Sequence, residues 1–503
     1  MRFARSSGIL LHPTSLASPH GIGDLGPEAR GFADFLASAG QTLWQVLPLG
    51  PTGYGESPYQ CFSAWAGNPL LISLEWLVER GWLDGRALHQ APDFPEDRVD
   101  FERLVPWKMS LLKSIAPGGA DFGDFCEVHR EWLDDFALFV ALKDHHHGVA
   151  WTDWEAGARD RDPKALAQWR VTLAAPIAVH KFLQFVFYEQ WRELREYARA
   201  RGIRIMGDLP IYVAHDSADV WANRRFFQLD PQGKPIAVSG VPPDYFSKTG
   251  QLWGNPIYNW DALAEDGYGW WLDRFRAAFH MVDMIRLDHF RGFEAYWEVP
   301  AGETTAVNGR WVKGPGSALF RAAKAALGEL PFVAENLGVI TPEVEAIREE
   351  CGFPGMAVLQ FAFGTDPQAP TFRPHNYPRE VVAYTGTHDN DTTVGWWSSD
   401  GQRDSTRSAD DIRRERDFAK RYLGTDGAEI QWAFIRTLEE SVADTVLIPM
   451  QDVLGLGSEA RMNQPATTGG NWRWRYRPGA LKPELAARLR ELAELYERLS
   501  TLH

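Results

Sequence analysis

The sequence predicts an α/β protein, a (β/α)8 TIM barrel with large insertions. Three observations carry this. Eight short apolar runs recur along the chain, each leading into a polar or Gly/Pro cluster, as strands that end in functional loops do. Helical patterns separate most of them, which argues for a parallel sheet. The 503 residues suit one barrel with insertions, because such barrels can pass roughly 400 residues. A prior of roughly 150 residues per domain would suggest three domains. The strand pattern makes residues 1–503 a single one.

The first run is Gly8–Leu11, before His12-Pro13-Thr14-Ser15, and the second Leu43–Leu49, before Gly50-Pro51-Thr52-Gly53-Tyr54. About 150 residues then intervene. They hold long helical patterns, Glu127–Lys143 and Pro176–Arg199, so 77–200 reads as a mostly helical insertion. The third run is Ile203–Met206, before Gly207-Asp208-Leu209-Pro210. After it, 213–280 is rich in Gly, Pro and aromatics and reads as a loop-rich insertion beside the barrel mouth. Met281–Leu287, Pro331–Ala334, Met356–Phe363, Val381–Tyr384 and Thr445–Met450 complete the eight. Ser317–Leu327, Pro342–Cys351 and Glu484–Leu499 read as helices among and after them. Gln402–Asp417 carries both signs of charge densely and reads as a solvated segment.

Composition narrows the function classes. Lys and Arg number 52 against 67 Asp and Glu, a net charge of −15. Such a surface disfavours nucleic acid and anionic membranes as partners. Cys61, Cys126 and Cys351 are dispersed and odd in number, so neither a disulfide framework nor a metal-ligand spacing is expected. Gly8–Leu11 is too short for a signal-peptide core, and no apolar run approaches a membrane span of roughly 18 residues. A cytoplasmic protein is expected. The surplus is aromatic, with 22 Trp, 28 Phe and 14 Tyr; most read as core, and a few as platforms for flat, weakly polar ligand faces.

In Met284-Ile285-Arg286-Leu287-Asp288-His289, strand alternation turns Arg286 and Asp288 the same way. A cation beside a carboxylate favours the ionised form that a nucleophile needs. A structural ion pair is the alternative. Pro331-Phe332-Val333-Ala334 leads into Glu335; an apolar surround raises a carboxyl pKa and suits a general acid. Asp389, with His388 beside it, and Asp208 add two more acids at similar positions after strands. Two carboxylates flanking a scissile bond are the equipment of glycoside chemistry. His145-His146-His147 sits at the end of an insertion helix, where polar and cationic residues are favoured without a metal. Gly455-Leu456-Gly457-Ser458-Glu459-Ala460 mimics a dinucleotide fingerprint but lacks the following strand and acid. No cofactor and no metal are expected.

These residues resemble the α-amylase clan and, within it, the bacterial 4-α-glucanotransferases called amylomaltases, glycoside hydrolase family 77. The resemblance runs from Leu10-Leu11-His12-Pro13-Thr14-Ser15 through Gly53–Gln60, Gly240–Phe246, Arg286–Gly292 and Gly386–Asp391 to Arg461-Met462-Asn463. It implies Asp288 as nucleophile, Glu335 as acid/base and Asp389 as transition-state stabiliser. It implies Tyr59, Asp208, Gln251, Trp253, Arg286, His289, Phe361, His388 and Asn463 as substrate-binding residues. The implied activity is retaining transfer of an α-1,4-glucan segment to the 4-hydroxyl of an acceptor glucan or glucose. An amylase-type retaining hydrolase is the alternative. Maltooligosaccharides and starch-type glucans are the implied partners, and the chain is expected to act as a monomer. Trp253, Tyr245 and Phe246 are candidates to hold the acceptor and exclude water. Asn336 stands where the family usually has Asp, a departure expected to bear on the hydrogen bonding and pKa tuning around Glu335. Asp366 is a further acceptor-side candidate.

Overall fold

The computed structural model describes residues 3–243, 247–400, 408–467 and 469–499. In chain order these form β1 (Ser6–Leu10), β2 (Leu43–Gln45), β3 (Arg204–Leu209), β4 (Ala237–Val241), β5 (Gln251–Pro256) and β6 (Met284–Leu287). They continue with β7 (Ala295–Pro300), β8 (Arg310–Lys313), β9 (Phe332–Ala334), β10 (Gly355–Val358), β11 (Val381–Tyr384) and β12 (Thr445–Pro449). Eight of them make one parallel sheet in the order β10-β11-β12-β1-β2-β3-β6-β9. The seam between β9 and β10 is drawn together by the Ala334 amide, which donates to the Pro354 carbonyl at 2.8 Å. The Met356 amide adds a 2.8 Å bond to Oδ1 of Asn336. The result is the barrel, and each of the eight apolar runs supplies one strand. Met356–Phe363 is shorter as a strand than as a run, because the chain turns into a 3-10 helix at Leu359–Ala362.

Side-chain alternation sorts the strands into two cores. Leu43, Met206, Met284, Val333, Met356, Val382 and Leu447 form a separate buried cluster that plugs the barrel interior. Ile9, Trp44, Ile205, Ile285, Phe332, Ala357, Ala383 and Ile448 point the other way, into the layer shared with the surrounding helices. Two residues beyond the interior set lie Gln45, Asp208, Arg286 and Glu335, on the same side and nearer the carboxyl ends. A period of two therefore places four polar side chains directly above an apolar plug.

Between β2 and β3 the chain is helical, with Phe101–Lys113, Arg130–His145 and Ala174–Arg199 the longest segments. The helix expected over Glu127–Lys143 is two, Phe122–Val128 and Arg130–His145, parted at His129. The long helix clamps the loop after β2 by two buried amides. Gln184 exchanges hydrogen bonds with the Gly67 backbone at 2.7 and 2.9 Å. Gln190 does the same with Ser73 at 2.7 and 3.2 Å. Between β3 and β6, besides loops, lie β4, β5 and the helices Trp260–Glu265 and Gly269–Met281. β4 and β5 join β7 and β8 in an antiparallel sheet of order β5-β4-β7-β8. Its halves flank barrel strand β6 in the chain, so no local pattern announces the pairing.

The last helix is Pro483–Leu495, shorter than the periodicity through Leu499 suggests. Glu497 takes φ 59°, and the buried Arg498 guanidinium donates to the carbonyls of Ser6, Leu438 and Ser441. Leaving the helix lets Arg498 cap the floor of the barrel. Among the described residues, no single helix is long and apolar enough to cross a membrane.

Candidate active site

Asp208 on β3 and Arg286 on β6 are direct partners in register. Nη1 of Arg286 donates to both oxygens of Asp208, at 2.8 and 2.7 Å, and to Oδ1 of Asp288 at 3.0 Å. Its Nη2 lies 3.1 Å from Oε2 of Glu335. One guanidinium thus ties three carboxylates from three neighbouring strands. Asp208 is wholly buried and Arg286 only 2 % exposed, whereas Asp288 and Glu335 keep 24 % and 20 % of their side chains open. The Arg286–Asp208 pair is thus closed off from solvent, while Asp288 and Glu335 stay partly open to it.

The chain turns sharply after Asp288. His289 sits in the left-handed region, φ 49° and ψ 50°, and its amide donates to Oε2 of Glu335 at 2.5 Å. Burial pushes the Glu335 carboxyl up to about 8, and the Asp288 charge adds to this; Arg286 and the His289 amide pull the other way without cancelling it. Both stabilising contacts fall on Oε2, which leaves Oε1 to carry the proton. Burial also raises the Asp208 carboxyl and lowers the His289 imidazole to about 4, so His289 is neutral.

Tyr59 joins this centre to the loop after β11. Its hydroxyl donates to Oδ2 of Asp208 at 2.9 Å and lies 2.8 Å from Nε2 of His388. A phenol has one proton to give, so with Asp208 as acceptor, Nε2 of His388 is the donor to Tyr59. The two rings stack at 5.3 Å. Nε2 of His388 is also 3.4 Å from Oδ1 of Asp389. Asn463 fixes the same Oδ1 through Nδ2 at 2.7 Å. Asp389 is the most open of the acids, 43 % exposed.

The remaining expected residues lie on β5 and after β10. Trp253 on β5 sets its ring at 87° to His289, with centroids 4.7 Å apart, and its Nε1 donates to Gln251. Phe361 follows β10 and packs edge-on against Phe372. Tyr245 and Phe246 lie outside the described residues. Asp366 accepts from the Gln368 amide and so holds its own turn. Asn336, just past β9, bonds not Glu335 but the Met356 amide and Glu345. Arg461 was not singled out by sequence reasoning, although it lies in the Arg461-Met462-Asn463 segment. It donates to the Asp389 carbonyl at 2.7 Å. Its neighbours in the chain carried the only available signal. Of the triplet, His145 and His146 pack on each other at 5.1 Å and both on Trp169, and His146 pairs with Glu155. Ser458, in the apparent dinucleotide fingerprint, donates to Asp391. Among the described residues, no group of three His, Cys, Asp or Glu is arranged to hold a metal ion.

The geometry is that of an acid pair at the carboxyl ends of barrel strands. The family model for glycoside hydrolase family 77, 4-alpha-glucanotransferase, matches residues 11–482. The chain belongs to this family. Among family 77 relatives, the 4-alpha-glucanotransferase of Synechocystis is 51 % identical over 507 residues, covering 98 % of each chain. That of Thermus thermophilus is 51 % identical over 516 residues, covering 99 % of this chain and all of its own. A solved family structure, amylomaltase from Streptococcus agalactiae in complex with acarbose, superposes with a TM-score of 0.92 at 38 % identity. It covers 99 % of this chain and 100 % of that one.

Proposed function

We propose that this chain is a retaining 4-α-glucanotransferase acting on α-1,4-glucans, with Asp288 as nucleophile and Glu335 as acid/base. The observation that carries the reading is the single Arg286 guanidinium shared by Asp288 and Glu335, in a chain alike over its full length to enzymes of this name. The guanidinium donates to Oδ1 of Asp288 at 3.0 Å and so fixes that carboxyl beside Glu335. Burial keeps Glu335 protonated despite the same guanidinium.

In the first step Oε1 of Glu335 gives its proton to the glycosidic oxygen while a carboxylate oxygen of Asp288 attacks the anomeric carbon. The carbon–oxygen bond to the leaving sugar breaks, and that fragment departs with a free 4-hydroxyl. The other fragment stays esterified to Asp288. In the second step Glu335 takes the proton of an acceptor 4-hydroxyl, whose oxygen displaces Asp288 and restores both carboxyl groups. Asp389, held by Asn463 and His388, bonds sugar hydroxyls as the ring flattens. Tyr59 and His388 floor the donor subsite. Transfer outruns hydrolysis when the acceptor is held near the attack geometry and water is kept out.

Incubation with purified maltotriose tests the reading. Transfer yields glucose and longer oligomers at a constant number of reducing ends. A rise in reducing ends would identify a hydrolase instead, and no change a binding protein. Asp288→Asn should abolish turnover and retain glucan affinity; retained turnover overturns the nucleophile assignment. Acarbose, which the Streptococcus agalactiae amylomaltase binds, should inhibit.

A further inference from the structure

The loop from Thr385 to Thr393 carries His388 and Asp389 and hangs between the end of β11 and the helix Thr393–Ser398. Beneath it lies Asp452, on the short helix Met450–Val453 that follows β12. Asp452 is 0 % exposed. Its Oδ2 accepts from the Thr385 hydroxyl at 2.5 Å and the Thr393 hydroxyl at 2.8 Å, and its Oδ1 from the Thr393 amide at 2.6 Å. Both ends of the loop are therefore pinned to one carboxyl group.

Among the described residues, no Lys, Arg or His is paired with this carboxyl, and another acid, Asp391, adds to the burial that raises it. Burying a carboxylate against neutral donors alone is costly. A packing role needs no charge there. What a carboxylate supplies is two acceptor oxygens in fixed geometry, and the loop ends present three donors to match. The upper part of the loop is tied separately. Oδ1 of Asn390 accepts from the Thr387 amide and hydroxyl at 2.8 and 2.9 Å, while Arg461 and Asn463 hold Asp389 from outside. Gln360, just past β10, ties the loop from the other side, its Nε2 donating to the Asp391 carbonyl at 2.8 Å and its amide to the Thr385 carbonyl at 3.3 Å, while Asp452 ties both loop ends to the segment after β12.

We infer that Asp452 is a positioning residue for the reaction: by locking Thr385 and Thr393 it sets where Asp389 meets the sugar. The inference rests on the role proposed above for Asp389. Asp389 acts most strongly as the sugar ring flattens, so misplacing it should reach kcat more than KM.

Asp452→Asn keeps the shape and removes one acceptor. With maltotriose, kcat should fall at least tenfold, KM should stay within about twofold, and the melting temperature should not fall, since a buried charge without a cation is removed. Thr393→Ser, which keeps both bonds, should retain the parent kcat. Thr393→Val, which loses the hydroxyl, should lower it several-fold at unchanged melting temperature. These two variants carry the test if Asp452→Asn does not fold. A parent-like kcat in Asp452→Asn or in Thr393→Val overturns the inference. So does a loss of kcat matched by a loss of folded protein. Asp389→Asn is the control: full turnover in that variant would refute the role of Asp389 itself, independently of Asp452.

Discussion

The amide of His289 is bonded to Glu335, 46 residues further along the chain, at 2.5 Å, from a backbone held at φ 49°. A non-glycine residue in this region costs about 1–3 kcal/mol and persists where surrounding structure enforces it. Here the turn follows Asp288 directly, so the strain aims an N–H at one acid while the strand end presents the other. His289→Gly should adopt the same turn without strain and retain the amide bond, losing only the imidazole. His289→Val, β-branched, should resist it and displace the amide. Comparing kcat/KM for the two, the glycine variant should be the faster by tenfold or more. Equal rates would mean that the turn does not position Glu335.

The raised Glu335 carboxyl makes two linked predictions about pH. The acid form persists up to about 8, so kcat/KM should hold through neutrality and fall tenfold per unit above that value. Stability runs the same way. Glu335 has an ordinary value of 4.5, so between 4.5 and about 8 the folded state binds more protons than the unfolded one. Its contribution is fully present below 4.5 and is lost as pH rises through 8. Glu335→Gln removes the dependence, so its melting temperature should gain on the parent from pH 4.5 toward 8. A variant melting temperature that falls relative to the parent over this range would contradict a Glu335 buried as described.

How much of this centre was legible in the sequence follows from the reach of each interaction. Period-two alternation relates residues two apart, so Arg286 and Asp288 could be paired from the chain alone. Alternation also put Asp208 and Glu335 at matching strand ends, but not in contact, because barrel register is set between strands. Asp452 and Arg461 act across 59 to 72 residues through hydrogen bonds that leave no periodic trace. The antiparallel sheet escaped for a similar reason, its strand pairs β4–β5 and β7–β8 lying on either side of a barrel strand.

Asn336 gives a prediction about the seam between β9 and β10. Its Nδ2 donates to Oε1 of Glu345 at 2.8 Å while its Oδ1 helps close the β9–β10 seam. Aspartate at this position would keep the seam bond and set a second carboxylate against Glu345. Asn336→Asp should therefore destabilise the chain by about 1–3 kcal/mol, the cost of a broken and unsatisfied pair. Asn336→Asp with Glu345→Gln should recover most of it, because the amide can donate in the reverse direction. Chemical denaturation of the four members of this cycle measures the coupling. Additive losses would mean that Glu345 is not the partner that matters.

Trp253 tests what separates transfer from hydrolysis. Its indole stands edge to face with His289, one residue beyond the proposed nucleophile, and rests near Tyr212 at 6.4 Å. If Asp288 is the nucleophile proposed above, this places the indole within one residue of the ester. An aromatic face binds a sugar and displaces water at the same time. Trp253→Ala should weaken acceptor binding and admit water to the intermediate. With maltotriose the rate of new reducing ends should rise relative to longer products, by several-fold. Trp253→Phe should lie between, since it keeps a face but not the full area. If both variants keep the parent ratio of transfer to hydrolysis while losing total rate, Trp253 only supports His289, and water exclusion must be assigned to other residues.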